Sequence, residues 1–523
     1  MTGRTDDYKM KKYPVQEEVD AIVIGTGAGG APLLSRLAKA GLKVVALEAG
    51  NYWNPATDFE TDEVAQSKLF WNDERLSAGE NPVAFGNNNS GIGVGGSTLH
   101  FTAYTPRPQD DDFKLYSQFG VGEDWPIGYE DLESYLEEAE QFIGVSGPAD
   151  YPWGAKRKSK YPLAALPLNG AAQLMEKGCE IVGIKTSAAP NAALSAKHYV
   201  KGYGWRNACI NRGYCQAGCT TGGKSSMDVT YIPLAIHYGA EIRDNCYVTQ
   251  IEVKDNKVQA VMYSNHGVEY KQKCKYLFLC AGGIETPRLL LLNGIANSSG
   301  EVGKNFMAHT GMQVWGQFDE DIRPYKGIPG ALISEDYHRP KGVDFAGGYL
   351  LQSIGVMPVT YASQMARGRS LWGKEFMQAM RGYNHTAGIN ILGDCLPYKE
   401  NYLELSDEKD ERGVPKPRIH FTSMENEKRL TKHAEEIMRA IWKEAGAYDV
   451  WSFDRNAHII GTCKMGNDSR NAVVNKECQS FDIPNLYIAD NSVFTSALSV
   501  NPALTIMAIS LHTADRFLQK NKK

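Results

Sequence analysis

The feature that most constrains the fold of this chain is a glycine-rich turn near its start. The apolar run Ala21–Ile24 is typical of a short buried strand, and Ala31–Ala40 has the apolar spacing of a helix. Between them, Gly25-Thr26-Gly27-Ala28-Gly29-Gly30 fits G-x-G-x-x-G in the strand, turn and helix context that this motif requires. A second strand-like run, Val44–Leu47, follows. This order predicts a dinucleotide-binding unit of an α/β fold.

Each glycine of the turn has its own predicted task. Gly25 allows the tight turn, Gly27 lets the backbone approach a pyrophosphate, and Gly30 permits close packing of the helix. The pyrophosphate then lies at the helix N-terminus, where free N–H groups favour an anion. Glu48 ends the next strand at the distance expected for a carboxylate that binds ribose hydroxyls. A structural glycine turn and an NAD site are the alternatives, and the segment after Glu48 favours FAD.

The rest of the chain indicates a second domain. Tyr276–Cys280 and Leu486–Ala489 predict further strands of the same parallel sheet. The stretch Asp319–Tyr402 is rich in Gly, Met and aromatic residues with weak periodicity, which suggests an inserted domain. Glu425–Gly446 predicts an amphipathic helix that ends at its last glycine. A length of 523 residues suits two domains, and the absence of a long linker predicts that they are interleaved.

Composition and charge exclude several classes of protein. A chain with 42% apolar and 22% charged residues is an ordinary globular protein rather than a disordered one. A net charge of -5 gives no overall basic field, so nucleic acid is not an expected partner. No apolar run is long enough for a transmembrane segment, and residues 1–20 lack the apolar core of a signal peptide. We therefore expect a compact protein without an export signal of its own.

Motifs in the remainder of the chain point to one family. Their order and spacing resemble those of the glucose-methanol-choline (GMC) oxidoreductases over nearly the whole chain, and most of all the catalytic subunits of bacterial gluconate- and glucose-type FAD dehydrogenases. Ala308, Gly283 and Asn293 depart from the family pattern. The segments that carry the resemblance are Gly91–Thr98, Asp124–Ile127, Cys280–Leu290, Gly303–His309, His458–Gly466, Leu486–Asp490 and Asn501–Thr505.

The resemblance implies the fold and its division along the chain. It implies the α/β GMC fold, in which a Rossmann-like FAD-binding domain is interleaved with an α+β substrate-binding domain. The FAD-binding domain is expected to comprise residues 17–110, 204–312 and 455–523. The substrate-binding domain and cap are expected to comprise residues 111–203 and 313–454.

The resemblance also implies which residues contact FAD. His100 stands where some members carry a histidine near the flavin, in some of them bonded covalently to its 8α-methyl carbon, and the sequence leaves that bond open. The other implied contacts are Gly95, Gly96 and Ser97 in a second glycine-rich loop, Val248 at the adenine, Asp490 by the phosphates, and Asn501, Pro502 and Thr505 by the flavin ring and ribityl chain.

The predicted catalytic residues follow from the chemistry of alcohol oxidation. The hydroxyl must lose its proton as the carbinol hydride passes to flavin N5, so a base with a pKa near neutrality is needed, and histidine is the natural choice. His458 occupies the family's catalytic histidine position. Asn501 occupies the partner position, and its amide can donate to the developing oxyanion. For His309 and His512 we predict ordinary structural roles.

Three cysteines form a separate candidate site. Cys209, Cys215 and Cys219, the cysteine trio, lie in the loop-like stretch 204–223. Thiolates this close in a loop can converge on one metal centre, and three ligands suit a [3Fe-4S] cluster better than tetrahedral zinc. The spacing resembles the cluster-binding segment of bacterial FAD-dependent sugar dehydrogenases. A purely structural loop is the alternative.

These features together predict an enzyme. The expected activity is FAD-dependent oxidation of a CH–OH group of a sugar, sugar acid or related alcohol, with electrons passed through the cluster to a cytochrome or quinone. The alternative is an oxygen-using alcohol or glycoside oxidase that releases hydrogen peroxide. A flavin-binding protein without turnover is a third hypothesis, which His458 and Asn501 disfavour. The resemblance implies a small partner subunit with an export signal, so both cytoplasm and cell envelope stay open as locations.

Overall fold

The computed structural model describes residues 10–86 and 89–521, and two large sheets organise them. The strands are β1 Val19–Ile24, β2 Val44–Leu47, β3 Leu76–Ala78, β4 Ser146–Gly147, β5 Leu163–Ala164, β6 Ser187–Ala188, β7 His198–Val200, β8 Gly204–Arg206, β9 Glu241–Arg243, β10 Cys246–Lys254, β11 Lys257–Asn265, β12 Val268–Leu279, β13 Met307–Gln317, β14 Leu332–Ser334, β15 Tyr349–Ile354, β16 Thr386–Gly393, β17 Tyr402–Lys409, β18 Pro415–His420, β19 Asp449–Ile460 and β20 Leu486–Ile488. The α-helices are α1 Gly30–Lys39, α2 Pro55–Asp58, α3 Leu115–Phe119, α4 Tyr129–Ile143, α5 Gly170–Val182, α6 Tyr231–His237, α7 Gly282–Asn293, α8 Pro358–Arg369, α9 Gly373–Met380, α10 Glu425–Ala445 and α11 Ala503–Lys520.

The first sheet contains the predicted dinucleotide-binding unit. Strands β20, β12, β1, β2 and β9 lie side by side and run parallel. The first half of β12 pairs instead with β11 in an antiparallel meander that continues to β10. Because helices cover such a sheet, β1 and β2 are apolar and almost wholly buried, and α1 packs against α6 and α11. The predicted strands and helix are confirmed, with α1 beginning one residue earlier, at Gly30.

The second sheet takes three of its six strands, β14, β15 and β16, from the stretch Asp319–Tyr402 where the sequence showed weak periodicity. Its strand order is β19, β13, β16, β15, β14 and β6, and every pair is antiparallel. Helices α5 and α10 pack against the sheet and against each other, and the Trp442 indole N–H donates to the carbonyl of Val314 at 2.8 Å. Strands β14 and β16 are buried along their whole length. Burial on both faces removes the alternation that marks a strand in a sequence, which explains the weak pattern.

Two strands join the regions assigned to the two domains. The predicted boundaries after residue 312 and before residue 455 fall inside β13 and β19, which pair with each other over most of their length. The division of the chain into two domains stays a prediction, but these paired strands belong to one sheet.

Helix α10 is confirmed, and Gly446 ends it in a left-handed conformation with a φ of 102°.

Two further observations concern the whole described chain. Within residues 10–86 and 89–521, no helix combines the length and the apolar character that crossing a bilayer requires. All ten cysteines lie in these ranges, and each is a free thiol.

Candidate active site

A large cavity lies where the glycine turn of the first sheet faces β13, β15, β16 and β19 of the second. Its volume is about 1350 Å³. Ordinary small-molecule sites measure roughly 300–1,000 Å³, so this cavity has room for a dinucleotide together with a substrate. Gly27 and Val248 line it from the first sheet, and Gln352, Asn390 and His458 line it from the second.

Two glycines of the turn are required by the fold itself, and a third is required only by a ligand. Gly25 has a φ of 92°, and a Cβ on it would collide with the carbonyl oxygen of Cys280. A Cβ on Gly30 would collide with the carbonyl oxygen of Gly25. A Cβ on Gly27 would meet no protein atom closer than Gly96 Cα, at 3.6 Å, and Gly27 lines the cavity. Gly27 therefore leaves free a space that a pyrophosphate at the N-terminus of α1 would fill.

Two buried carboxylates hold the loops at this end of the cavity. Glu48 accepts hydrogen bonds from the N–H of Thr26 at 3.1 Å and its hydroxyl at 2.7 Å, and from the N–H groups of Gly50 and Gly93, both at 3.2 Å. Asp490 accepts from the N–H of Gly282 at 2.8 Å and from Thr286 and Ser492. Burial raises the pKa of both carboxyls, and these hydrogen bonds oppose that rise. The predicted contacts of both residues with ribose and phosphate stay predictions.

Most of the predicted cofactor residues line the cavity. Those that do are Gly25, Gly27, Glu48, Gly96, Ser97, His100, Val248, Asp490, Asn501 and Pro502. Gly30, Gly95 and Thr505 do not line it. Gly95 and Gly96 have φ values of 119° and 54°, which explains the glycines of the second loop, and the Gly95 N–H donates to the Thr26 hydroxyl at 3.2 Å.

Several buried polar atoms on the cavity wall have no partner among the described residues. Since buried polar groups are nearly always hydrogen-bonded, these atoms indicate that a ligand completes the site. They are Trp71 Nε1, His100 Nε2, Thr310 Oγ1, Gln364 Oε1 and Asn390 Oδ1. Burial and then the charge of Lys224 lower the pKa of His100 to about 3, so its ring is neutral. Together with the space beside Gly27, these residues fit an FAD.

His458 occupies a β-bulge between β19 and β13. In the pairing of these strands Ala308 lies opposite Ile459, and His309 lies opposite Ala457, so His458 is the extra residue. Its φ of 55° lies in the left-handed region, which is uncommon for a residue with a side chain. Bulges of this kind re-aim a side chain and are frequent next to active sites. Here the bulged residue lines the cavity.

His309 contacts His458, and the structural role predicted for it from the sequence is therefore incomplete. His309 Nε2 lies 2.6 Å from the carbonyl oxygen of Leu498 and 3.1 Å from that of Ala497. Carbonyl oxygens only accept hydrogen bonds, so this nitrogen carries the proton, and Nδ1 of the neutral ring is an acceptor. His309 Nδ1 lies 3.1 Å from His458 Nδ1, which must then be the donor.

The contact with His309 fixes the tautomer of His458. With its proton on Nδ1, neutral His458 has an unprotonated Nε2 that is free to accept a proton. Burial, followed by the electrostatic effects of His309 and Arg455, holds the pKa of His458 well below its usual value. Burial likewise lowers the pKa of His309. Both rings are thus neutral near pH 7, the state that a general base requires.

Asn501 is oriented by a glutamine of the second sheet. Gln352 Nε2 donates to Asn501 Oδ1 at 2.5 Å. This bond assigns the amide oxygen of Asn501 to Gln352 and leaves the amide N–H₂ group without a hydrogen bond to the described chain. The cavity is thus lined by a proton acceptor, His458, and by a side chain that can donate to an oxyanion.

The cysteine trio lines a second, separate cavity of about 30 Å³, which holds roughly two water molecules. Two sulphurs of the trio accept hydrogen bonds from backbone N–H groups. The N–H of Asn211 donates to Cys209 Sγ at 3.4 Å, and the N–H of Lys224 donates to Cys219 Sγ at 3.3 Å. The three sulphurs do not all lie within 4.8 Å of one another. A tetrahedral zinc site with Zn–S bonds of about 2.3 Å would place them about 3.8 Å apart, so this spacing does not suit one zinc ion.

Comparison with known proteins identifies the class of protein that this fold and cavity define. A family model described as GMC oxidoreductase matches residues 20–311, and a second with the same description matches residues 397–510. The chain therefore belongs to the GMC oxidoreductase family. The resemblance inferred from the motifs and the predicted α/β fold are both confirmed.

Named relatives cover nearly the whole chain. The 2-methyl-1,2-propanediol dehydrogenase of Mycolicibacterium austroafricanum is 29% identical, with 95% of each chain covered. The fructose dehydrogenase large subunit of Gluconobacter japonicus is 28% identical, covering 96% of this chain and 98% of that one. The gluconate 2-dehydrogenase flavoprotein of Pantoea cypripedii is also 28% identical, covering 95% and 93%.

A solved structure supports the fold alone. A variant of the formate oxidase of Aspergillus oryzae matches with a TM-score of 0.67 at 15% identity, over 98% of this chain and 100% of that one. Dehydrogenases and an oxidase are thus both among the proteins to which this chain is similar. At the level that these similarities establish, the protein is a flavoprotein oxidoreductase that acts on CH–OH donors.

Proposed function

We propose that this chain is an FAD-dependent dehydrogenase that oxidises a CH–OH group of a sugar, sugar acid or related alcohol, with His458 as the base. The observation that carries this proposal is the histidine pair. His309 holds the proton of His458 on Nδ1, which leaves Nε2 as a neutral acceptor on a residue that lines the cavity.

The residues of this chain divide the chemistry between them. His458 Nε2 takes the hydroxyl proton of the substrate, and the amide of Asn501 donates a hydrogen bond to the oxygen as it gains alkoxide character. Gln352 keeps that amide in the donating orientation. FAD, when bound, supplies the acceptor for the carbinol hydride at its N5 atom. We assign its binding to the cavity-lining residues of the first sheet and of the two glycine-rich loops, including Gly27, Val248 and Asp490.

The proposal is tested by mixing the holoenzyme anaerobically with a panel of sugars, sugar acids and alcohols while the flavin absorption is followed. The test variant is His458→Asn, because asparagine tolerates a φ of 55° better than most residues but is not a base at neutral pH. Loss of general-base catalysis should slow flavin reduction by about 10²- to 10⁴-fold without loss of bound FAD. An unchanged rate would remove His458 from the mechanism, and a flavin that no CH–OH compound reduces would overturn the function.

We further propose that electrons leave through a [3Fe-4S] cluster on the cysteine trio, to a cytochrome or quinone. Three free thiols around one cavity and the N–H groups directed at two of the sulphurs support this, as do the names of the three dehydrogenase relatives. The loop must widen to admit a cluster, because the cavity holds only about two waters. The competing function is an oxidase that reduces oxygen to hydrogen peroxide.

Iron analysis separates the two functions. Anaerobically prepared protein should contain about three iron atoms per chain and be paramagnetic when oxidised. Cys215→Ser should remove the iron and slow reduction of an artificial acceptor, whereas flavin reduction by the substrate should continue. Cys179→Ser, a buried cysteine of α5 outside the trio, is the matched control and should retain the iron. Iron-free wild-type protein that turns over in air and releases peroxide would establish the oxidase instead.

A partner subunit belongs to the same proposal. One relative is named as a large subunit, and near the trio Trp205 and Ile210 are 70% and 63% exposed. Aromatic side chains such as that of Trp205 are enriched at protein interfaces relative to the rest of the surface. We propose that a small subunit or the electron acceptor binds there, and that an export signal on such a subunit would place the complex in the cell envelope. Cell fractionation with and without the subunit tests the location, and a chain that stays in the cytoplasm in both cases would contradict it.

A further inference from the structure

The part of the large cavity around His458, which we call the substrate end, contains a cation without a counter-ion. Arg455 lies on β19, three residues before His458, and lines the same cavity. Its guanidinium forms no hydrogen bond or ion pair with any residue in the described ranges 10–86 and 89–521. The side chain retains some accessible surface because it faces the cavity. Protein nevertheless surrounds it so closely that burial, followed by the charge of Arg367, lowers its pKa to about 10.

Arg288, which also lines the cavity, is a buried guanidinium whose partners the chain supplies. Its Nη2 donates to Asp410 at 2.8 Å, its Nη1 donates to Glu285 at 3.2 Å, and its Nε donates to the carbonyl of Pro415 at 3.0 Å. A buried charge without such partners destabilises a fold. The isolation of Arg455 therefore indicates that its partner arrives with a ligand.

The charged groups around Arg455 do not supply that partner. Arg367, on α8, is a second cation that lines the cavity; its Nε donates to the carbonyl of Ser363 at 3.4 Å, and its guanidinium lies over the ring of Phe453. On α10, Glu435 accepts from Arg439 at 2.8 Å and from Ser452 at 2.6 Å. Asp454 lines the cavity without forming an ion pair within the described chain, and burial followed by Glu435 raises its pKa.

The strand opposite Arg455 approaches it closely. Gly311 of β13 pairs with Arg455, and a Cβ on Gly311 would collide with the carbonyl oxygen of Arg455 at 2.6 Å and lie 3.1 Å from its Cγ. Next to it, Thr310 Oγ1 is buried without a partner among the described residues and lines the cavity. Within the described chain, the wall thus combines two cations that lack a counter-ion with a hydroxyl that lacks a hydrogen-bond partner, and His458 lies further along β19.

We propose that Arg455, with Arg367, binds a carboxylate of the substrate, so that the alcohol oxidised here is a hydroxy acid such as an aldonic acid. The planar guanidinium matches a carboxylate through two parallel N–H···O bonds. Three residues of a strand span no more than about 10 Å, so a carboxylate on Arg455 leaves the carbinol carbon a few bonds away within reach of His458. This inference rests on the proposed function and narrows its substrate class.

The test combines kinetics with binding that requires no turnover. Flavin reduction is measured for two matched pairs, gluconate with glucitol and lactate with 1,2-propanediol. Binding of succinate, which has no CH–OH group, is measured on the holoenzyme by calorimetry. In the wild type, the acid of each pair that reacts should reduce the flavin more efficiently than the neutral alcohol. Succinate should bind.

Three variants make the test specific to Arg455. At about pH 8, where His458 is neutral, Arg455→Met should weaken succinate binding and lower kcat/KM for the acids by about 100-fold, with little change for the neutral alcohols. Arg455→Lys keeps the charge but loses the fork of N–H groups, so its loss should be intermediate. Lys432→Met removes an exposed charge at the cavity and should change these values less than about threefold, because solvent screens it.

Each outcome decides between the two proposals. Wild-type protein that prefers neutral alcohols and does not bind succinate would overturn the carboxylate site and leave the proposed function intact. Succinate binding that depends on Arg455, in a protein whose flavin no alcohol reduces, would retain the site and overturn the function. Because Arg455 has no partner to lose, Arg455→Met should unfold at the same or a higher temperature than the wild type. If Arg455→Met does not fold, the Arg455→Lys variant decides the question. Equal succinate affinities of this variant and the wild type would contradict binding of the carboxylate through two N–H groups of the guanidinium.

Discussion

The two ends of the large cavity hold their charged groups in opposite ways. At the glycine-turn end, Glu48 and Asp490 accept hydrogen bonds from backbone and hydroxyl groups of the chain itself. At the other end, Arg455 is without a partner in the described chain, and Asn390 Oδ1 and Thr310 Oγ1 are buried without one. The carboxylates of the first end thus have their partners within the chain, whereas the guanidinium of the second end lacks, among the described residues, a partner that a ligand could supply.

This difference predicts how changes at each end act. At the glycine-turn end the backbone itself shapes the space, so a substitution should decide whether the cofactor binds at all. At the other end the protein supplies individual polar groups, so a substitution should change rate, selectivity or pH dependence while FAD stays bound. Groups that are arranged for a ligand commonly reduce the stability of the folded protein, and a buried Arg455 without a counter-ion is such a group.

The largest effect is expected from Gly27→Val. A side chain at position 27 meets no protein atom closer than 3.6 Å but occupies the space assigned to the pyrophosphate, so the fold should survive and FAD should be lost. Gly30→Val is the contrasting variant, because its Cβ would collide with the backbone of Gly25 and damage the fold itself. Flavin released on denaturation and the unfolding temperature are measured for both. One FAD per chain in Gly27→Val would contradict the placement of the cofactor.

The glycine-turn end is also the end that the sequence predicts well. A tight turn, a close approach to phosphate and a close helix contact are local requirements, and each selects glycine at one position of a short segment. The strands around the turn are apolar runs of ordinary length, so β1, β2 and α1 follow from periodicity. The roles of His458 and Asn501 came only from the family motifs.

The other end depends on contacts between residues far apart in the chain. His309 meets His458, and Gln352 meets Asn501, each pair separated by 149 positions. The bulge that places His458 exists only once β13 and β19 pair. The isolation of Arg455 is a property of everything packed around it, so no pattern in the sequence expresses it. The one available signal for His309 was its place at the end of the family-like segment Gly303–His309.

The next effect in size is expected at His309, a positioning residue. His309→Leu removes the acceptor that holds the proton of His458 on Nδ1, so flavin reduction should fall about 10- to 100-fold with FAD retained. His309→Gln should restore much of the rate, because its amide can accept from His458 and donate to the carbonyl of Leu498. Equal losses in the two variants, with unchanged unfolding temperatures, would show that the tautomer does not matter.

The smallest effect is a shift of the pH profile that connects the two unusual residues of the substrate end. His458 acts as a base only when neutral, so the rate falls as the pH drops through its pKa, which burial, His309 and Arg455 hold well below 6.5. Arg455→Met removes a positive charge that disfavours the imidazolium, so the pKa of His458 rises and the acid limb moves to higher pH. The measurement is kcat/KM for a neutral alcohol between about pH 4 and pH 8, where substrate charge does not interfere. Lys432→Met is the control, since an exposed charge is screened and should leave the limb in place. An acid limb that stays fixed in Arg455→Met would mean that the two side chains do not share one electrostatic environment, and the carboxylate would then be held away from the base.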